Sequence, residues 1–94
     1  MNNAKKDNKG IEIDFFIDIT GEVCPLTFVK TKLLIESMSA GQTAEVRLKG
    51  REPLENVPRS VNDSGHSIIS LEAESPTEPD DGIHRLILKK ITIF

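Results

Sequence analysis

Apolar and polar residues alternate from Ile11 to Thr20, with Ile11, Ile13, Phe15, Ile17 and Ile19 on one side and Glu12, Asp14, Phe16, Asp18 and Thr20 on the other. A period of two marks a half-buried strand whose odd positions face inward. Thr20-Gly21-Glu22 reads as a turn. The spacing then predicts a helix over 25–38, with Leu26, Val29, Leu33, Leu34 and Met38 as a broad apolar arc. Lys32 and Glu36 lie one turn apart on its wet side. Gly41 suits the end of this helix. A second alternation follows, Ala44, Val46 and Leu48 inward against Glu45, Arg47 and Lys49 outward.

Leu54, Val57 and Val61 have helical spacing, and Gly65 closes that segment. Pro58 fits poorly inside a helix, so the expectation is a turn at 53–56 and a short helix restarting near Pro58. A third strand over 66–74 places Ile69, Leu71 and Ala73 inward. The polar loop 75–82 leads to a fourth strand from Ile83 to about Phe94, where a phase slip at Lys89-Lys90 predicts a bulge or the end of pairing. Phe16, Ile68 and Ile87 are candidates for a small apolar patch on the otherwise charged sheet face. The element order is βαβαββ. It implies an α+β fold, a two-layer α/β sandwich with two helices on one face of a mixed four-stranded sheet.

The 94 residues fit one domain, read as a disordered tail over 1–10 and a folded domain over 11–94. A net charge of −3, with four Phe and neither Trp nor Tyr, lacks the basic, aromatic-studded surface of a nucleic-acid binder. The polar start carries Lys5, Lys6 and Lys9 but no apolar run follows, and no stretch approaches a membrane span, so a cytoplasmic location is expected.

Candidate chemistry centres on Cys24, the single cysteine, which is followed by Pro25. Proline favours the first helical position, which puts Cys24 at or beside the helix N-cap. Orphan N–H groups and the positive end of the helix dipole favour a thiolate there. The competing reading is a buried, unreactive thiol. His66 and His84 lack the close ligand pairs that announce a zinc site, so no metal is expected. Lys30 and Lys32 are either a solvated helix face or a docking surface for an acidic partner.

A strand, Gly21, then Cys24-Pro25 opening a helix resembles the TusA-like (SirA-like) sulfur carrier family. The likeness is carried by residues 18–27, by Met38-Ser39-Ala40-Gly41-Gln42, by Pro53 with Val57-Pro58, and by Gly65-His66. It implies that Cys24 accepts sulfane sulfur as a persulfide and passes it on without a cofactor. Gly21 would let the loop turn tightly beneath it, and Pro25 would fix the helix start. The implied partners are a sulfur donor of the cysteine desulfurase or rhodanese type and an acceptor protein serving tRNA thiolation, cofactor maturation or sulfur oxidation. The family signature is Cys-Pro-x-Pro, and Thr27 stands where the second proline belongs. The alternatives are a non-catalytic regulatory or interaction module on the same fold, and an RNA-binding domain, against which the acidic balance weighs.

Overall fold

The computed structural model describes residues 5–6, 12–23 and 26–91. Its elements are β1 (Lys5–Lys6), β2 (Glu12–Ile13), β3 (Phe15–Asp18), α1 (Leu26–Glu36), β4 (Thr43–Leu48), α2 (Arg51–Asp63), β5 (Ser67–Ala73) and β6 (His84–Lys89). The first alternating run forms two strands because the chain bends at Asp14. Asp14 stays tied to β4 there: its N–H donates to the Thr43 carbonyl, and its Oδ2 accepts from the Thr43 N–H, both at 3.0 Å. Within the segment expected to be a disordered tail, β1 pairs antiparallel with β2, Lys5 opposite Ile13 and Lys6 opposite Glu12.

The main sheet has the order β3-β4-β6-β5. β3 and β4 are parallel, joined through α1, while β6 runs antiparallel to both β4 and β5. This is the mixed sheet expected from the element order. β4 is central, and Ala44, Val46 and Leu48 are fully buried as their alternation predicts. Opposite residues in register share a face, so Leu88 and Leu86 join Ala44 and Val46 on the covered side. Ile35 and Met38 from the first helical segment and Val57 and Val61 from α2 complete one core cluster, so both helices cover the same sheet face.

Three local expectations are corrected. The first concerns which side of α1 is inside: Thr27, Thr31 and Ile35 are buried, whereas Leu26, Val29 and Leu33 are exposed, Leu33 to 60%. Threonine can be buried here because Thr31 Oγ1 donates to the Thr27 carbonyl at 2.8 Å, avoiding the cost of an unpaired hydroxyl. Only Leu34 and Met38 of the expected arc pack against or within the core.

The second concerns α2, which is continuous through Pro58 rather than restarting there. Pro53 falls in the first turn, where no donor is required. Pro58 removes an interior hydrogen bond at a cost of about 3 kcal/mol. Burying Val57 and Val61 contributes roughly 1.5–3 kcal/mol each, enough to hold the helix together.

The third concerns the inward face of β5; β6 itself ends at Lys89, where the phase slip at Lys89-Lys90 predicts the end of pairing. A register shift between Ile68 and Ser70 puts Ile68 opposite Leu88 and Leu71 opposite Leu86, both on the covered face. Ile69, expected inside, is 40% exposed, and Ile68 leaves the expected outer patch. Bulges of this kind are common on edge strands, where they discourage further pairing.

On the open face, Arg47 and Arg85 stand directly opposite each other. Like charges so placed repel, and Glu74 bridges them: its Oε1 is 2.7 Å from Arg47 Nε and 3.2 Å from Arg85 Nε. Arg47 also reaches Asp18 Oδ2 at 2.9 Å, so one guanidinium links β3, β4 and the end of β5.

Candidate functional site

The loop between β3 and α1 is braced from both ends. At its start, the Thr20 hydroxyl and N–H donate to Asp18 Oδ1 at 2.7 and 2.9 Å. These two bonds, the hydroxyl first and with Arg47 adding to them, hold the Asp18 carboxyl below its ordinary pKa. Ile19 N–H donates to the Arg47 carbonyl at 2.8 Å, and Glu22 N–H closes a turn onto the Ile19 carbonyl at 3.1 Å. At the far end, Lys30 Nζ lies 2.6 Å from Glu22 Oε2, which ties the loop to the body of α1. Leu26 N–H donates to the Val23 carbonyl at 2.8 Å.

Cys24 and Pro25, the proposed nucleophile and helix starter, lie outside the described residues. What is placed is their frame. In the chain they come between Val23, 72% exposed, and Leu26, the first residue of α1. No acidic residue occupies the first turn of α1, so its positive dipole end is not offset from within the helix.

The other candidate residues fall into different environments. Gly21 is at the third position of the turn, outside the left-handed region, and an added Cβ would meet nothing within 4 Å among the described residues. Thr27 is fully buried beneath α1, so the motif's fourth position packs against the core rather than facing the loop. Lys30 is engaged with Glu22. Lys32 is exposed and sits with Glu36 on the rim of a groove of about 180 Å³ between α1 and α2. Phe28, Ile35, Val57 and Val61 line that groove, and His66 stands at its edge.

Neither histidine approaches a metal-ligand cluster. His66 Nδ1 accepts from the Ile91 N–H at 3.1 Å, and His84 Nδ1 donates to the Gly82 carbonyl at 2.8 Å. Among the described residues there is no group of three or more His, Cys, Asp or Glu able to hold a metal ion, and no helix is long and apolar enough to cross a membrane.

Sequence reasoning missed the outward stripe of Val23, Leu26, Val29 and Leu33. The available signal was a helix with two apolar sides, of which only one can face the sheet.

Likeness to known proteins bears on this frame. Residues 15–90 match the family described as sulfurtransferase TusA. A candidate sulfur carrier protein of Archaeoglobus fulgidus is 40% identical over 70 residues, covering 74% of this chain and 80% of its own. A candidate sulfur carrier protein of Thermotoga maritima is 34% identical over 62 residues, covering 66% and 78%. The crystal structure of a SirA-like protein from Desulfitobacterium hafniense superposes with a TM-score of 0.60 at 22% identity, covering 83% of this chain and 99% of that one, a likeness of fold.

Proposed function

The chain belongs to the sulfurtransferase TusA family, and from that premise we propose that it is a sulfur carrier that holds sulfane sulfur as a persulfide on Cys24. The observation that carries the reading is the family match over residues 15–90, which contains Cys24 immediately ahead of α1. In the first step the Cys24 thiolate attacks the terminal sulfur of a donor persulfide. A Cys24 S–S bond forms, the donor S–S bond breaks, and the donor cysteine leaves as a thiolate. In the second step an acceptor thiolate takes the same terminal sulfur and Cys24 leaves as a thiolate. Each step is a thiolate exchange with no net oxidation, and its rate depends on thiolate character, access and the leaving group.

The surroundings support this chemistry. The dipole end of α1 favours the anionic form of a thiol placed beside it. The sequence holds one cysteine, so no second thiol within these 94 residues can discharge the persulfide as a disulfide. A desulfurase or rhodanese is the expected donor, and the acceptor is a further thiol protein.

Incubation with a cysteine desulfurase and L-cysteine, followed by intact-mass measurement, tests the proposal. Wild type should gain the mass of one sulfur atom, reversed by a thiol reductant, and Cys24→Ser should gain none. Equal gain by Cys24→Ser, or no gain by wild type even from polysulfide, would leave the interaction-module reading in its place.

A further inference from the structure

Four large aliphatic side chains, Val23, Leu26, Val29 and Leu33, lie along the outside of the molecule, 72, 47, 40 and 60% exposed. Positions 26, 29 and 33 fall on one side of α1 at the i, i+3, i+7 spacing. Val23 joins them through its carbonyl, which accepts from the Leu26 N–H. The stripe is not a by-product of core formation, because a separate set of α1 residues supplies the buried face. It also brackets the thiol, since Cys24 is bonded to Val23 and Leu26 follows two residues later.

Two further properties define what could cover it. The charges beside the stripe cancel: Lys30 is paired with Glu22, and Lys32 stands one helical turn from Glu36. The area is also limited. Four half-exposed aliphatic side chains present an apolar patch on the order of a few hundred Å². A stable specific interface buries about 800 Å² on each partner. The stripe is therefore too small to hold a permanent dimer of this chain and suits the centre of a transient contact.

Resting on the sulfur-carrier reading, we propose that this stripe is the docking surface for the protein that delivers sulfur, and that this partner presents an apolar, weakly charged surface beside its own persulfide-bearing cysteine. Docking of this kind excludes water around the exchanging sulfurs and depends little on ionic strength. Steering by Lys30 and Lys32 toward an acidic partner is the contrasting arrangement.

The test measures the rate at which Cys24 gains sulfur from a cysteine desulfurase turning over L-cysteine. Leu33→Ser and Val29→Ser should each slow delivery roughly five- to tenfold. Ile69→Ser, half-exposed on the far strand β5, should match wild type, and wild-type rates at 50 and 500 mM salt should agree within about twofold. Inorganic polysulfide, which needs no docking, should load Leu33→Ser as fast as wild type. Wild-type delivery rates in both stripe variants would overturn the proposal, as would a steep fall with salt. So would a concentration-dependent wild-type dimer that Leu33→Ser dissolves, or a desulfurase unable to load wild type that polysulfide does load. Failure of polysulfide to load Cys24 would instead overturn the carrier reading itself.

Discussion

Lys30 Nζ lies 2.6 Å from Glu22 Oε2, joining the second turn of α1 to the loop that leads into Cys24. The pair is partly exposed, its side chains 44 and 28% accessible, so its contribution to stability is modest. Lys30→Met and Glu22→Gln should each lower stability by no more than about 1 kcal/mol in urea titrations. The double variant should cost less than the two single losses added together, because both remove one interaction. Additive losses would show that Lys30 acts apart from Glu22.

Acid should weaken the open sheet face through Glu74. The Arg47 guanidinium, and after it Arg85, hold this carboxyl at about 2, against an ordinary value of 4.5. A group whose pKa is lowered by folding contributes stability that is complete above its unfolded value and is lost as pH falls toward the folded one. The urea midpoint should thus be insensitive to Glu74 above about pH 5 and should decline between roughly pH 4.5 and 2. In Glu74→Gln that part of the acid decline should be missing, and an unchanged acid limb would contradict the assignment.

Truncations on the sheet and on α1 should differ sharply. Leu86 is fully buried in the core, and Leu86→Ala should cost about 2–5 kcal/mol. Leu33→Ala should stay within about 0.5 kcal/mol, because the side chain is largely in water already. Thermal unfolding of the two variants checks the orientation of α1 directly. Comparable losses would mean that Leu33 is packed.

The glycines divide in the same way. Gly21→Ala should fold with near wild-type stability, since its Cβ meets nothing within 4 Å among the described residues and its φ lies outside the left-handed region. Gly82→Ala should destabilise, because the new Cβ would come within 2.8 Å of Pro79 Cδ. If Gly21→Ala nevertheless slows sulfur loading, the glycine serves partner approach rather than the turn.

Much of this was legible along the chain, and the reason is local. Period-two alternation in 13–19 and 44–48 is read by the sheet residue by residue, so the buried sides of those strands follow from the pattern. The positive φ at Gly41 and Gly65 likewise belongs to single positions. The Cys24-Pro25 motif ahead of a helix carried the family because its meaning lies in neighbouring residues. Tertiary structure alone decided what α1 buries. Its sequence has an aliphatic stripe and a threonine–isoleucine stripe, and hydrophobicity ranks the wrong one first. Thr31 satisfies its hydroxyl within the helix, so the slimmer stripe packs against the sheet without an unpaired polar atom. The continuity of α2 through Pro58 has the same origin, since burial on both sides outweighs one missing bond. The bulge at Ile69 is set by the partner strand, because both Ile68 and Leu71 must meet leucines of β6 on one face.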